Sequence, residues 1–400
     1  MKYWKQALVC ICILLAACIG CQPKQTGETQ GETQYIIGVA AYDPDNAEMR
    51  MFMDYYRDYI AEGFPVKFYF SDRLTSAEEE QAFIRSMKQQ GAHGIISFFG
   101  NDIQPVLQTC AEEQMYYILG SGTLDEADFQ AVQGNPYFLG TIGPAPETEI
   151  NAGADMAAHF KALGAKRLLI LSGGAAQSNY MHLARAEGML EALGVPQANT
   201  LAGTAKTQSV QADGLEITIA PGYYSRESDQ PQIDAALAAG DYDAVLCTYN
   251  IDILLPVIQQ REAQLGHSIR AGTVDCFSAQ NLDIIRQRDQ FGNPQIDYIE
   301  GKYASMAGPA FAAMYNALHG DMEVIRPSGQ AFRLYQGFWT AKSPEEYIEL
   351  YGYTIGMYEN AYSCTDLMQV IRAFRKDASF NKLKALTEAY DVQAVIDRMQ

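Results

Sequence analysis

The sequence predicts an α/β protein made of two doubly wound, parallel-sheet lobes joined by a hinge. Three observations favour this fold class. The chain has 400 residues, which exceeds the size at which one hydrophobic core keeps growing. From Tyr35 onward, short β-rich runs alternate with amphipathic segments of helical length. This alternation occurs twice, and a loop containing Gly143, Pro144 and Pro146 separates the two series.

The first series lies between residues 35 and 119. Its second helix has a predicted capping box, because the hydroxyl of Ser76 can cap the helix while Glu79 returns a hydrogen bond to the cap. The predicted elements are strand 35–41, helix 47–61, strand 66–70, the helix from residue 76, strand 94–98, helix 103–113 and strand 116–119.

The second series repeats this architecture without repeating the sequence. A tail follows Gly320 and is rich in Tyr and Phe, with Trp339 among them. Rings in such numbers are more typical of a core or a lobe-packing surface than of a binding site. The predicted strands are 138–141, 167–171, 215–219, 243–247, 270–274 and 296–300, and the predicted helices are 147–162, 178–193, 232–239, 251–264 and 304–318.

These patterns predict the domain organisation. Residues 35–142 plus 297–325 form the first lobe, and residues 143–296 plus part of 326–400 form the second. We expect 326–400 to be an aromatic-rich C-terminal extension that packs on the hinge and the lobes.

The N-terminus carries the pattern of a bacterial lipoprotein. Lys2 and Lys5 precede an apolar run that is too short to cross a bilayer, which needs about 20 residues. The run ends in Leu-Ala-Ala-Cys, which matches the lipobox of bacterial lipoproteins. We therefore expect residues 1–17 to be a signal peptide and Cys18 to be lipidated, with Cys21 a poorer candidate. A flexible tether should then follow over residues 18–34, which contain few apolar side chains after Cys21.

Composition and charge disfavour several classes of function. The formal net charge is −19, and removing Lys2 and Lys5 with the signal leaves −21, since 27 basic residues then face 48 acidic ones. Such an acidic chain is an unsuitable partner for nucleic acid. Beyond residue 34, the cysteines and histidines are dispersed, without a CxxC, HExxH or paired spacing that would hold zinc. We therefore expect no metal, no cofactor and no disulfide framework.

Two doubly wound units place ligand sites at the carboxyl ends of their strands, in the crevice where the sheets face each other. Several polar or aromatic side chains fall in loops at these ends. The loops are 42–46, 100–102, 120–123, 173–179, 249–252 and 275–278. The candidates that we take from the first-lobe loops are Tyr42, Asp43, Asn46, Asp102 and Ser121.

Three further candidates lie in the second lobe. Arg185, three residues before Gly188, can donate two parallel hydrogen bonds to ligand oxygens, although it could equally be a solvated helix arginine. Asn250 follows the strand at 243–247 and can both donate and accept, although Asn before a helix is also an ordinary N-cap. Asp275 ends the run Gly-Thr-Val-Asp.

These segments resemble type I periplasmic binding proteins, particularly the ribose/galactose-binding group and the effector domains of LacI-type repressors. The resemblance covers about residues 35–320. It implies that Arg185 and Asn250 bind ligand oxygens and that Asp275 accepts from two sugar hydroxyls. It also makes Lys302 a candidate, because the segment around Lys302 resembles the hinge strand through which the family's chain re-enters the first lobe.

The chain departs from that family in two places. Gly120, Ser121 and Gly122 stand where sugar-binding relatives usually have an Asp-Arg pair, which argues against free ribose or galactose. The aromatic tail is also longer than in the closest relatives, and in this it resembles a separate set of lipoproteins of the same superfold.

The expected function is that of an extracytoplasmic, lipid-anchored solute-binding protein that is not an enzyme. It would be a monomer that presents a sugar-like, nucleoside-like or related ligand to an ABC-type permease. A sensor for a signalling kinase is the alternative, since both roles use hinge closure on a ligand. A hydrolase using carboxylates such as Asp43, Asp45 and Asp102 is less favoured, because no nucleophile motif accompanies them.

Overall fold

The computed structural model describes residues 34–122, 124–173, 180–326, 328–354 and 361–399. The signal peptide, the lipidation candidates Cys18 and Cys21 and the tether up to residue 33 lie outside the described residues, as do Thr123 and most of the loop at 173–179. The chain from Tyr35 to Gln400 forms one compact unit.

Two sheets organise this unit, one in each lobe. A parallel strand that is covered on both faces is a continuous run of buried apolar side chains. Residues 168–171 in the second sheet are an example. The first sheet contains β1 (Tyr35–Ala40), β2 (Val66–Phe70), β3 (Gly94–Ser97), β4 (Tyr116–Gly120), β5 (Phe138–Gly143) and β12 (Phe332–Tyr335), in the order β12-β5-β4-β3-β1-β2 and all parallel.

The second sheet has a parallel centre and an antiparallel strand at each edge, β7 and β13. Its strands are β6 (Arg167–Gly173), β7 (Gln208–Ala212), β8 (Leu215–Pro221), β9 (Ala244–Cys247), β10 (Arg270–Cys276), β11 (Tyr298–Lys302) and β13 (Trp339–Ala341), in the order β13-β11-β10-β9-β6-β8-β7.

Helices connect the strands of both lobes. The first, α1, spans Ala47–Asp54 and continues as a π-helical segment over Tyr55–Ile60 and a last turn at Ala61–Gly63. The others are α2 (Ala77–Gln89), α3 (Ile103–Glu113), α4 (Glu126–Val132), α5 (Pro146–Ala162), α6 (Tyr180–Ala192), α7 (Ala198–Ala202), α8 (Gln230–Ala239), α9 (Leu255–Leu265), α10 (Ala279–Ile285), α11 (Gly308–Leu318), α12 (Met322–Ile325), α13 (Pro344–Gly352), α14 (Cys364–Gln369), α15 (Phe380–Glu388) and α16 (Val392–Met399).

The cap of α2 differs in part from the predicted capping box. Ser76 accepts a hydrogen bond from the backbone N–H of Glu79, as expected for an N-cap. The carboxylate of Glu79 instead accepts from the backbone N–H of Thr75 at 2.6 Å and from the Thr75 hydroxyl at 2.9 Å. The carboxylate therefore ties down the residue before the cap.

The chain passes between the lobes at three places. It crosses after β5, after β11 and between β12 and β13. The sequence analysis assigned 297–325 to the first lobe, but residues 298–302 of β11 pair in parallel with residues 272–276 of β10 in the second sheet. The return to the first lobe therefore comes after residue 302, where α11 packs on β3, β4 and β5.

The aromatic tail joins both lobes through buried side chains. Trp339 stacks on Tyr303 of the second crossing, with ring centroids 4.1 Å apart, and its indole N–H donates to the Tyr390 carbonyl at 2.8 Å. The Tyr347 hydroxyl donates to the Ser278 carbonyl of the second lobe at 3.0 Å. Burying these rings removes a large apolar area from water, and the tail therefore becomes part of the core at the hinge.

Candidate functional site

A cleft of about 750 Å³ lies between the carboxyl ends of the two sheets. The loops after β1, β3 and β4 line it from the first lobe, and α6 with the loops after β8, β9 and β10 lines it from the second. This is where two doubly wound units are expected to hold a ligand. Its volume lies within the range of small-molecule sites.

The wall of the first lobe contains a short hydrogen-bonded chain around Asn46. Its side-chain oxygen caps α1 by accepting from the backbone N–H of Glu48 at 2.9 Å, and it also accepts from the Tyr42 hydroxyl at 2.9 Å. Lys302, at the end of β11 in the second sheet, reaches this wall: its ammonium donates to Glu48 Oε1 at 3.0 Å and to the Ser121 carbonyl at 3.2 Å. Tyr42, Asn46 and Ser121 therefore line the first-lobe wall, and Lys302 joins it to the second lobe through Glu48, a carboxylate that the sequence analysis did not select.

The remaining first-lobe candidates differ in position. Asp43 lines the cleft, but its carboxylate accepts from Arg73 at 2.8 Å, so its charge already has a partner. Asp102 is exposed, precedes α3 with a positive φ of 42°, and is not among the residues that line the cleft, whereas Gly100 and Asn101 line it.

Three rings form the wall of the second lobe. Tyr223 and Tyr249 have centroids 4.8 Å apart, and the His182 ring lies 5.4 Å from Tyr223 and 5.8 Å from Tyr249. The His182 Nδ1 lies 2.5 Å from the Tyr223 hydroxyl, and the Tyr249 hydroxyl donates to the Gly222 carbonyl at 2.9 Å. Burial lowers the pKa of His182, and the nearby cations Arg185 and Lys302 lower it further, so this ring is neutral at pH 7.

The sequence analysis selected none of these three rings. Tyr223 belongs to the loop after β8, and the loops examined in the sequence did not include that one. His182 lies in the first turn of α6, and a lone histidine there gives no sequence signal. Of the three rings, Tyr249 was the easiest to predict from the sequence, because it lies in the loop that follows β9.

Carboxylates lie at the carboxyl ends of two neighbouring strands of the second sheet, Asp275 within β10 and Asp252 after β9. Burial raises the pKa of Asp275 to about 7, and Glu48 and Asp252 add to the rise, while a hydrogen bond from Asn281 at 3.0 Å opposes it. Burial also raises the pKa of Asp252, whose carboxylate accepts from Gln280. Asp275 therefore stands at the cleft as a partly desolvated acceptor.

Asn250 lines the cleft beside these carboxylates. Its side-chain oxygen accepts from the backbone N–H of Asp252 at 2.8 Å, which stabilises the turn before the 3₁₀ segment Asp252–Leu254. The asparagine thus has the turn-forming role that the sequence analysis left open. Among the described residues no acceptor takes its amide N–H₂, which can donate to a ligand oxygen.

Arg185 also lines the cleft, but it is held by the protein. Its Nε donates to Glu149 at 2.6 Å and its Nη1 to the Thr248 carbonyl at 2.7 Å, and both side chains of the ion pair are buried. A Cβ on Gly188 would lie 1.9 Å from the Ile150 carbonyl oxygen, so the glycine permits the close approach of α5 and α6 that forms this pair. Arg185 therefore joins α6, α5 and the end of β9.

The cleft has the groups of a binding site for a small polar molecule. Rings offer faces for apolar contact, and carboxylates and amides offer hydrogen bonds at their edges. Within the described ranges, no group of three or more His, Cys, Asp or Glu side chains is arranged to hold a metal ion. The cysteines in these ranges are free thiols, three of them buried.

Several solved structures share this architecture. A galactofuranose-binding protein matches with a TM-score of 0.56 and 14% identity over 81% of this chain and 99% of its own. The D-allose-bound solute-binding protein of an ABC transporter from Actinobacillus succinogenes matches with a TM-score of 0.57 and 13% identity, over 79% and 100%. The arabinose-transporter protein from Shewanella, bound to L-arabinofuranose, matches with a TM-score of 0.54 and 15% identity, over 80% and 96%. The chain has the type I periplasmic binding protein fold.

The type I fold confirms the predicted class of two doubly wound lobes joined by a hinge. No family model matches the sequence, and no curated protein matches it. At identities this low, the likeness to the solved structures extends to the fold, and the residues of the cleft must carry any statement about the ligand.

Proposed function

We propose that this type I protein is an extracytoplasmic solute-binding lipoprotein. It captures a small polyhydroxylated ligand between its lobes and presents the closed form to an ABC-type permease, without chemistry on the ligand. One observation carries the proposal, namely the cleft of about 750 Å³ whose second-lobe rings lie opposite the polar groups of the first lobe.

The rings and polar groups suit a sugar-like or nucleoside-like ring. The flat apolar face of such a ring packs on Tyr223 and Tyr249, because aromatic surfaces bury apolar area at little cost in side-chain entropy. Hydroxyls at its edge would donate to Asp275 and exchange hydrogen bonds with the Asn250 amide and Tyr42. We propose these residues as the ligand contacts, with Asn46 and Ser121 on the first-lobe wall and Lys302 reaching Ser121 from the second lobe.

The structural neighbours support a carbohydrate-like ligand. Their bound molecules include D-allose and L-arabinofuranose, and one of them is a galactofuranose-binding protein. Three proteins with the same fold are thus described as binding sugars.

The membrane anchor and the transport partner belong to the proposal as well. The sequence Leu-Ala-Ala-Cys supports lipidation at Cys18. Across the described ranges, no helix is both long and apolar enough to cross a bilayer. We propose a monomer held by its lipid, which suits a protein that delivers a ligand to a permease. A sensor would bind the same ligand, so uptake in cells with and without the chain decides between transport and signalling.

A ligand screen with matched variants tests the binding role. Thermal unfolding is measured with aldoses, furanoses, cyclitols and nucleosides, since a ligand at 100 times its Kd stabilises by about 2.7 kcal/mol. Tyr223→Leu removes a ring that lines the cleft, and Tyr224→Leu removes the adjacent ring, which contacts Asp234 outside it.

A stabilising compound should lose at least about tenfold in affinity with Tyr223→Leu and keep its affinity with Tyr224→Leu. Equal effects of the two variants would place the ligand elsewhere. A screen without any stabilising compound would count against the binding role itself.

A further inference from the structure

The two cations that line the cleft already have anionic partners in the protein. Lys302 is bound to Glu48 at 3.0 Å and also donates to a carbonyl. Arg185 is bound to Glu149 at 2.6 Å and donates to the Thr248 carbonyl. A ligand therefore meets few uncompensated positive charges on either wall.

Two carboxylates in the same cleft have only neutral partners. Asp275 accepts from the Asn281 amide at 3.0 Å, and Asp252 accepts from the Gln280 amide. Among the described residues, neither carboxylate has a Lys, Arg or His nitrogen within 4 Å. Arg50 is linked to Asp252 through Gln280, because its guanidinium donates to the Gln280 side-chain oxygen at 3.1 Å and the Gln280 amide donates to Asp252. The cleft thus has an excess of acceptors and of negative charge.

This excess of negative charge raises the free energy of the protein when no ligand is bound in the cleft. Burial and the neighbouring carboxylates raise the pKa of Asp275 to about 7, and burial raises that of Asp252. An unpaired carboxylate in a desolvated site is stabilised when a cation binds beside it. The faces of Tyr42, Tyr223 and Tyr249 line the same cleft and also attract cations.

We propose that the ligand is a polyhydroxylated compound that carries a protonated amine, and that its ammonium group binds at Asp252 and Asp275. An amino sugar or an aminocyclitol has this chemistry. The inference rests on the proposed binding function and narrows it to cationic ligands. An ammonium group supplies three donors to a cleft rich in acceptors, whereas a uronate or a sugar phosphate would add a negative charge, and the two cations among the described cleft residues are already paired with carboxylates.

The test compares compounds that share one ring and differ in charge. Isothermal titration at pH 7 measures D-galactose, D-galactosamine, N-acetyl-D-galactosamine and D-galacturonate, with the corresponding sets built on D-glucose and on inositol. Within at least one set, the amine should bind at least about tenfold more tightly than the neutral compounds, and the carboxylate should not bind.

Variants then assign this preference to the two carboxylates. Asp275→Asn and Asp252→Asn remove the charge and keep the shape, and each should reduce the preference for the amine over the neutral compound by about tenfold. Asp234→Asn removes an exposed carboxylate outside the cleft and should leave the preference unchanged. Two carboxylate variants are used so that the test stands even if one of them folds poorly, and circular dichroism checks both.

The pH dependence gives an independent measurement. The affinity for the amine should fall as the pH falls through about 7, because Asp275 then takes up a proton, while the affinity for a neutral compound should change less. The titratable groups that face Asp275 from its surroundings are Tyr42, Glu48, Cys247, Asp252, Cys276, Lys302 and Tyr347.

The outcomes separate the inference from the function beneath it. If a neutral sugar binds as tightly as its amine and is sensitive to Tyr223→Leu, the binding function stands and the inference fails. If D-galacturonate or another anionic compound binds best, the binding function also stands and the inference fails. If no compound of any charge binds, the proposed function fails and the inference fails with it.

Discussion

The buried ion pair between Arg185 and Glu149 makes a prediction that corrects the sequence analysis. That analysis treated Arg185 as a group that donates to ligand oxygens or as a solvated helix arginine. In the structure the arginine side chain is 6% exposed and the glutamate side chain 0% exposed, with an Nε to Oε2 distance of 2.6 Å. Arg185→Met therefore leaves a buried carboxylate without its cation, and it should affect folding before it affects a ligand.

The expected cost is large. Removing one partner of a buried ion pair costs about 3 to 5 kcal/mol, because the remaining charge is uncompensated. Among the described residues, Glu149 Oε1 has no hydrogen-bond partner that could share the charge. The Thr248 carbonyl also loses a donor, which adds about 1 kcal/mol. We expect Arg185→Met to lower the free energy of unfolding by about 4 to 6 kcal/mol in total.

Urea unfolding followed by circular dichroism measures this cost in a double-mutant cycle with Glu149→Gln. Removing the charge of Glu149 in the Arg185→Met background should recover part of the loss, giving a coupling energy of about 1 to 3 kcal/mol. Arg57→Met is the matched control, since its ion pair with Asp54 is about half exposed and contributes at most about 1 kcal/mol. If Arg185→Met costs no more than Arg57→Met, or if the two changes at 149 and 185 are additive, the pair does not stabilise the fold.

Three further predictions concern charge, thiols and the anchor. Because the pKa of Asp275 is raised to about 7 in the folded protein from about 3.9 in an unfolded chain, the folded state binds more protons between these values, so the contribution of Asp275 to stability falls as pH rises from about 4 to 7. Asp275→Asn should therefore lose less thermal stability between pH 5 and pH 8 than the wild type, and an equal loss would contradict the raised pKa. Denatured, unreduced protein lacking residues 1–33 should titrate with four thiols, and a lower number would reveal a disulfide, with Cys247 and Cys276 the first pair to examine. Cys18→Ala should release the protein from the membrane fraction, whereas continued processing and membrane attachment would exclude Cys18 as the anchor.

The local pattern of the sequence predicts most of the strands, because a buried parallel strand is a continuous apolar run. Residues 94–97 and 168–171 are of this kind. β7 was missed because its sequence Gln-Ser-Val-Gln-Ala is half exposed at a sheet edge and has little apolar character. β12 and β13 were missed because their pairing partners lie far away in the chain, at β5 and β11.

The residues of the candidate site likewise divide into those that the local sequence predicts and those that depend on contacts between distant segments. Asn250 and Asp275 could be selected because they follow strands whose ends a doubly wound sheet brings to one edge. Glu48 could not, because its relevance depends on Lys302, which is 254 positions away in the sequence. Tyr223 depends likewise on its ring contact with Tyr249, which lies in a different loop.

The sequence by itself determined the alternation of strands and helices, the division into two series and the lipoprotein pattern, because each of these depends on side chains close together in the chain. Only the tertiary structure decided which lobe holds β11, and that Arg185 is neutralised by Glu149 while Asp275 has only a neutral amide. These properties arise from contacts between distant segments and from the burial that the contacts produce. Burial sets the strength of a charge and its demand for a partner, so the chemistry of the cleft follows from the fold.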